Sequence, residues 1–336
     1  MDCKDLLQKR LLFISGKGGV GKTTLAAGLA LRAARSRKRV LLVELDTIET
    51  LPALFGLPES KDPYTEYDLA EHIRGLHVDG KSGLEEYLEM VLKSKRLTRR
   101  IFRSPIYQYF VNIAPGLKEL MAVGKLWDLE QKADSRTGQP LHDVIIVDTP
   151  ATGHTLSYLQ MPITAADTVR KGFVNKEAQK VVDLLRDPQK TAFNIVTTLA
   201  EMPVNEALEL REHITGRLKI PLGCLFVNQV YPPFFEGGDL EAYRAWSRRV
   251  NEAGAFPLEP GIHAAAQSWE RRRQAQDLQR EKLTLECPEA MVDLPLLPGC
   301  PSDRDLAERL SRVLPPAVGP DTPSPETEQP GRGEGL

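Results

Sequence analysis

Residues 11–46 read LLFISGKGGVGKTTLAAGLALRAARSRKRVLLVELD, and this stretch predicts the architecture of the chain. It begins with an apolar run at 11–14, continues through a glycine-rich loop, and ends in a second apolar run at 40–43. Between the two runs, residues 23–37 repeat apolar side chains at helical spacing. Short apolar runs of this kind are typical of strands buried in a parallel sheet. The stretch therefore predicts a strand–helix–strand unit with a right-handed crossover.

The same alternation of strand and helix continues along the chain. Further candidate strands lie at 144–147, 193–197, 223–227 and 291–294, and candidate helices lie at 203–214 and 240–252. Strands that alternate with helices build a parallel sheet covered on both faces. We therefore expect an α/β fold with three layers and a doubly wound, mostly parallel sheet.

Two regions depart from this alternation. A block at about 60–130 carries helical stripes at 84–91 and 117–127 and a candidate edge strand at 106–113, and we interpret it as an inserted helical subdomain. Residues 313–336 are rich in proline and glycine, so we expect a disordered tail there. The predicted organisation is one domain over 1–312, followed by that tail.

Composition excludes several classes of protein. The chain has 336 residues, with 44 basic and 46 acidic side chains, and this net charge of −2 argues against a nucleic-acid partner. No apolar run has the roughly 18 to 20 residues that cross a bilayer. The four cysteines form no C-x-x-C pair, so the sequence signals neither a disulfide framework nor a zinc site. A cytoplasmic location is expected.

The glycine-rich loop carries the clearest chemistry in the sequence. It matches G-x-x-x-x-G-K-[ST], the phosphate-binding loop (P-loop), in which backbone N–H groups and a helix N-terminus converge on phosphate oxygens. Lys22 is expected to reach the β- and γ-phosphates, and the Thr23 hydroxyl to ligate Mg²⁺. The predicted nucleotide ligands in this loop are Gly16, Lys17, Gly18, Gly19, Val20, Gly21, Lys22, Thr23 and Thr24.

Two aspartates extend this site toward a metal ion. Asp148 ends the apolar run at 144–147 and opens the segment DTPATGHT, while Asp46 follows the run at 40–43. A carboxylate at the carboxyl end of a strand beside a P-loop is placed to hold Mg²⁺ through water. The predicted metal site therefore consists of Thr23, Asp46 and Asp148, and the cofactors are ATP and Mg²⁺.

Three motifs together resemble those of the arsenical-pump-driving ATPases, a family that also contains the targeting factors for tail-anchored membrane proteins. They are the lysine-containing P-loop KGGVGKT, the run DTPATGHTLSYLQMP at 148–162, and FVNQV at 226–230. The resemblance implies a nucleotide-bridged homodimer in which Lys17 contacts the nucleotide of the partner subunit. It also implies that Asn228 binds the adenine edge and that the dimer carries a protein client, such as a hydrophobic or membrane-bound segment.

The sequence also departs from that family. The resemblance to that family implies an aspartate that orients the attacking water, and Ala53 occupies the matching position in this chain. Asp46 and Glu49 are then the nearby carboxylates. The expected catalytic residues are therefore Lys17, Lys22, Asp46 and Glu49, with slow hydrolysis as one consequence. The zinc-binding C-x-x-C of the eukaryotic targeting factors is absent, so the chain is similar to a bacterial-type member.

Two alternatives remain open at this point. The substitution at Ala53 favours a binding module that holds ATP as a latch without hydrolysing it. A basic run at 93–103 favours a positioning ATPase of the MinD or ParA type, although such a run also occurs on an ordinary solvated helix face.

Overall fold

The computed structural model describes most of the domain. The described residues are 3–45, 50–58, 64–80, 83, 116–168, 172–233, 242, 243, 245, 246, 248, 249, 260–287 and 290–314. Several predicted features lie outside them: the stripe at 84–91, the basic run at 93–103, the edge strand at 106–113, much of the helix at 240–252, and the tail beyond residue 314.

Within the described ranges, eight strands form one sheet. They are β1 (Leu11–Ser15), β2 (Val40–Leu45), β3 (Tyr67–Ala70), β4 (Ile73–Val78), β5 (Val144–Asp148), β6 (Thr191–Thr198), β7 (Leu222–Val230) and β8 (Met291–Pro295). Their spatial order is β3-β4-β2-β5-β1-β6-β7-β8. All neighbouring pairs are parallel except β3 with β4. The carboxyl ends of β2, β5, β1 and β6 therefore meet at the centre of one edge.

Helices cover both faces of this sheet. They are α1 (Lys22–Arg35), α2 (Leu51–Leu54), α3 (Leu117–Gln131), α4 (Thr152–Thr168), α5 (Phe173–Arg186), α6 (Glu201–Glu212), α7 (Pro260–Glu286) and α8 (Asp303–Val313). A 3₁₀-helix (Cys3–Gln8) precedes β1, and a π-helical segment (His213–Leu218) continues α6. No helix among the described residues is long and apolar enough to cross a membrane.

The core has two parts, one on each side of the sheet. Helices α3, α4, α5 and α6 pack on one face, and α1 packs with α8 on the other. Alternate residues of the central strands point into the two layers, as Leu41 and Leu42 of β2 do. The predicted three-layer α/β architecture is confirmed.

The block predicted to be a helical subdomain begins differently. Residues 67–78 form the hairpin of β3 and β4, which extends the sheet by pairing with β2. The buried side chains of Ile73, Leu76 and Val78 supply the apolar contacts of a half-buried strand. The helical stripe predicted at 117–127 is confirmed by α3. The block is thus partly sheet, so its first portion was interpreted wrongly.

The cysteines also differ from expectation. Cys3 and Cys224 form a disulfide that joins the 3₁₀-helix to β7 across 221 residues of sequence. Cys224 is fully buried in the apolar strand β7, and the spacing of the cysteines, which signalled no disulfide framework, missed the bond. Sequence spacing cannot reveal such a pair, because only the fold brings the N-terminal segment beside β7.

Candidate nucleotide-binding site

The loop between β1 and α1 has a backbone that only glycine can adopt without strain. Gly16, Gly19 and Gly21 have φ angles of 157°, 83° and 95°. A Cβ at Gly16 would lie 2.1 Å from the carbonyl oxygen of Val196, so β6 approaches the loop closely. A Cβ at Gly18 or Gly19 would meet no atom within 4 Å. The loop therefore packs against β6 at Gly16, whereas the space around Gly18 and Gly19 is open, as a phosphate-binding loop requires.

Lys22 begins α1 and projects its charge toward this loop. Its Nζ donates a hydrogen bond to the carbonyl oxygen of Lys17 at 3.1 Å. Burial lowers the pKa of Lys22, while the charges of Asp148 and Glu206 act in the opposite direction. A half-buried ammonium group at a helix N-terminus favours an anionic ligand, because phosphate oxygens replace the water that it has lost.

Thr23 and Asp148 meet at the carboxyl end of β5. The Thr23 hydroxyl donates to Asp148 Oδ2 at 2.6 Å, and Asp148 is 2% exposed. Burial raises the pKa of Asp148 to about 7, against the hydrogen bond from Thr23 and the charge of Lys22. Asp148 Oδ1 is buried and has no hydrogen-bond partner among the described residues. A buried carboxylate with a free oxygen beside a hydroxyl fits Mg²⁺, which prefers oxygen ligands and keeps several waters.

Lys17, the other lysine of the loop, forms an ion pair within its own chain. Its Nζ contacts Glu206 Oε1 on α6. The second carboxylate oxygen of Glu206 accepts a hydrogen bond from Thr152 Oγ1, at the start of α4, at 3.2 Å. Sequence reasoning missed Glu206, because it lies outside any motif and more than 50 residues beyond Thr152. Glu206 thus joins the P-loop to the segment that follows Asp148.

Glu44 is a second residue that sequence reasoning missed. Its side chain is fully buried near the carboxyl end of β2, and its Oε1 accepts hydrogen bonds from Thr50 and Leu51. Burial raises the pKa of Glu44, although the bonds from Thr50 and Leu51 oppose that shift. The signal in the sequence was a glutamate inside an otherwise apolar strand, VLLVEL.

Asn228 lies against the P-loop. Its Nδ2 donates to the carbonyl oxygen of Val20 at 2.8 Å, and its Oδ1 accepts from the backbone N–H of Gln229. A Cβ at Gly21 would lie 2.4 Å from Asn228 Nδ2, so only glycine fits there. Asn228 therefore supports the loop directly, and its contact with adenine stays a prediction.

The remaining predicted site residues have separate outcomes. Thr24 lies in the first turn of α1, next to Thr23. Asp46 and Glu49 lie outside the described residues. Ala53 is exposed on the short helix α2. The structure thus brings together Lys17, Lys22, Thr23, Asp148 and Asn228 around one loop.

Comparisons with known proteins identify similar ATPases. Residues 9–180 match the family model described as the anion-transporting ATPase. The chain is 34% identical to the ATPase BagA of Mycobacterium tuberculosis, over 69% of this chain and 68% of that protein. It is 29% identical to the ATPase asna-1 of Caenorhabditis elegans, over 47% and 48% of the two chains. It is also 25% identical to the ATPase GET3B of Arabidopsis thaliana, over 67% and 65%.

Proposed function

The chain belongs to the anion-transporting ATPase family, and we propose that it is a molecular switch that binds ATP with Mg²⁺, dimerises around it, and hydrolyses it. The observation that carries this proposal is the Thr23–Asp148 hydrogen bond beside Lys22. These groups supply a cation, a hydroxyl and a buried carboxylate beside one P-loop. Phosphoryl transfer needs little more from a protein than positioning and charge at such a point.

In this proposal the loop residues hold the nucleotide. The N–H groups of residues 16–24 and the Lys22 ammonium group bind the phosphates, and Asn228 both supports the loop and contacts adenine. Thr23 ligates Mg²⁺, with Asp148 and Asp46 acting through water. When bound, Mg²⁺ neutralises charge on the phosphates; Lys17, Asp46 and Glu49 are our candidates for the remaining catalytic roles.

Dimerisation follows from the charge of Lys17. Two triphosphates that face each other across an interface repel unless cations lie between them. Lys17 is a lysine of the loop whose partner in this structure is a carboxylate, Glu206, with both side chains about 30% exposed. We propose that Lys17 exchanges this partner for the nucleotide of the second subunit. The relatives asna-1 and GET3B are named as ATPases, which supports the nucleotide chemistry of this proposal, and the dimer rests on the charge of Lys17 and on the family resemblance.

The client of this switch is proposed to be a protein, bound by the inserted block at about 60–130. The described part of that block includes α3, which packs on α4. Helix α4 begins at Thr152, only four residues after Asp148. A change at the γ-phosphate therefore has a short path, through α4, to the surface that α3 supports.

The direct test of this function is turnover with purified full-length chain. We expect Mg²⁺-dependent release of phosphate from ATP, with no release in the presence of a chelator. Calorimetry should show binding of both ATP and ADP. Absence of nucleotide binding under all these conditions would overturn the proposal.

The rate of hydrolysis is a finer point, and it depends on Ala53. If the aspartate that orients water belongs at this position, Ala53→Asp should raise kcat at least about tenfold with unchanged ATP affinity. Glu49→Gln should abolish the residual activity if Glu49 has taken over that role. A wild type with a high kcat that neither substitution changes would contradict the proposal that hydrolysis is slow because of Ala53. The water would then be oriented by another group, such as Asp46.

A further inference from the structure

Glu44 is a fully buried acidic residue for which the proposed phosphate and metal ligands leave no role. It is the penultimate residue of β2, and its backbone lies in register between His77 of β4 and Asp148 of β5. Residues paired in register across parallel strands point to the same face of a sheet. The side chains of these three residues therefore share one face, at the edge where the P-loop lies.

One oxygen of Glu44 connects β2 to the start of α2. Oε1 accepts hydrogen bonds from Thr50 N and Thr50 Oγ1, both at 2.7 Å, and from Leu51 N at 3.2 Å. Thr50 and Leu51 stand at the start of α2. Residues 46–49, which include Asp46 and Glu49, connect β2 to these donors. The carboxylate thus holds the start of α2 close to β2.

The other oxygen of Glu44 is buried and unsatisfied. Glu44 Oε2, Asp148 Oδ1 and His77 Nδ1 are all buried atoms without a hydrogen-bond partner among the described residues. Leaving a buried carboxylate oxygen unpaired costs free energy, because the oxygen has lost its water without gaining a donor. A glutamine could accept the same three hydrogen bonds without burying a charge. The hydrogen bonds to Thr50 and Leu51 therefore do not by themselves explain why this position is acidic.

We propose that Glu44 is a positioning residue of the nucleotide site: Oε1 braces Thr50 and Leu51, at the start of α2, against β2, and the negative charge of the carboxylate strengthens the binding of Mg²⁺ beside Asp148. The charge argument rests on the proposed function, whereas the brace concerns the nucleotide-free chain alone. A buried acid one strand away from Asp148 adds to the attraction for a divalent cation, because the surroundings screen charge poorly. The magnesium ion in turn offsets the cost of burying two carboxylates side by side.

The brace is tested by hydrogen exchange in the nucleotide-free protein. In the wild type, the Thr50 and Leu51 amides should exchange slowly, because both donate to Glu44. Glu44→Gln keeps an acceptor oxygen, so their exchange should stay within about twofold. Glu44→Ala removes the acceptor, and exchange at both amides should become at least tenfold faster. Ser15→Ala, which deletes a buried hydroxyl that contacts Thr155 instead, is the matched control and should leave both amides unchanged.

The charge is tested by binding of the non-hydrolysable analogue adenosine 5′-(β,γ-imido)triphosphate, measured by calorimetry with Mg²⁺ and with a chelator. We expect Glu44→Gln to weaken binding at least fivefold with Mg²⁺ and to leave binding in the chelator unchanged. A residue with a merely structural role would shift both conditions equally. Thr50→Val, which removes one of the three hydrogen bonds and no charge, should preserve the ratio between the two conditions.

The two arms have separate outcomes. Unchanged exchange in Glu44→Ala would overturn the brace, and an unchanged Mg²⁺ ratio in Glu44→Gln would overturn the role of the charge; either result rejects the proposal as stated. If Glu44→Ala does not fold, Thr50→Val takes its place in the exchange experiment. The brace then predicts unchanged Leu51 exchange in Glu44→Gln and faster Leu51 exchange in Thr50→Val. Unchanged Leu51 exchange in Thr50→Val would overturn the brace. If the wild type binds no nucleotide, the proposed function fails, while the exchange arm still decides the brace.

Discussion

Asp143 and Asp148 stand at the two ends of β5 and have opposite environments. Asp143 pairs with Arg39 through both oxygens, with Arg39 Nη2 2.7 Å from Oδ1 and the Arg39 backbone N–H 2.8 Å from Oδ2. Burial alone would raise the pKa of Asp143, but the bonds and charge of Arg39 outweigh it and lower that pKa. Asp148 has a hydroxyl as its hydrogen-bond partner, and burial raises its pKa to about 7.

The contrast extends along both edges of the sheet. At the amino ends of the strands, Arg10 and Lys190 converge on Glu130, just as Arg39 binds Asp143. At the carboxyl ends, Asp148 and Glu44 each keep a buried oxygen without a partner among the described residues. Paired charges at one edge stabilise the fold, whereas the incompletely paired acids at the other edge cost stability unless a cation binds. The difference supports the proposed functional edge, at the carboxyl ends of the strands, without reference to any motif.

The largest effect should come from removing a lysine at the functional edge. Lys22→Ala should reduce ATP affinity at least 100-fold, since the phosphates lose the half-buried cation at their loop. The matched control is Lys38→Ala at the opposite edge, where the lysine donates to the carbonyl oxygen of Leu7 and burial also lowers its pKa. Calorimetry should show unchanged ATP affinity in Lys38→Ala. Equal losses in the two variants would remove the distinction between the edges.

A smaller effect, of unusual sign, is expected at Asp148. Asp148→Asn should stabilise the nucleotide-free protein by on the order of 2 kcal/mol above pH 7, and should abolish the Mg²⁺ dependence of nucleotide binding. In the folded wild type the Asp148 carboxyl group keeps its proton up to about pH 7, whereas in the unfolded chain it loses the proton near pH 4. The free energy of unfolding of the wild type therefore falls as pH rises between these values. Denaturation at pH 5 and pH 8 should therefore show a larger gain at pH 8. Destabilisation at pH 8 would contradict this account.

The smallest effect is expected at the paired edge. Asp143→Asn should destabilise the protein by about 0.5–1 kcal/mol near neutral pH, because the Arg39 guanidinium group loses its counter-ion in a pair that water partly screens. The pKa of Asp143 is lowered on folding, so its contribution is present above the unfolded pKa and disappears as pH falls through the folded value. The same denaturation series should show a loss at neutral pH that diminishes in acid. Nucleotide affinity should not change.

Much of this architecture could be predicted from local sequence. The strand–loop–helix unit, β5 and the position of Asp148 at its end followed from short apolar runs with a polar residue at the carboxyl end. The hairpin of β3 and β4 could not, because its short strands carry polar residues and a glycine, Gly75, that weaken any periodic signal.

The parts of the site that sequence reasoning missed depend on long-range contacts. Glu206 contacts Lys17 because β6 pairs with β1, and α6, which follows β6 in the chain, therefore begins beside the P-loop. Glu44 was visible as an acid in an apolar strand, but its donors at Thr50 and Leu51 are known only from the turn into α2. The Cys3–Cys224 bond likewise depends on the position of β7. Local patterns predict elements, and the pairing of the elements decides which side chains meet.

The most direct test of the central claim is the mass of the purified chain in solution with and without nucleotide. With Mg²⁺ and adenosine 5′-(β,γ-imido)triphosphate, the account predicts twice the mass of the monomer, and a smaller dimer fraction with ADP or without nucleotide. Lys17→Ala should bind the analogue and remain a monomer, because it lacks the cation that crosses the interface. One unchanged mass for the wild type in all three conditions, with nucleotide binding verified in the same samples, would contradict the dimerising switch.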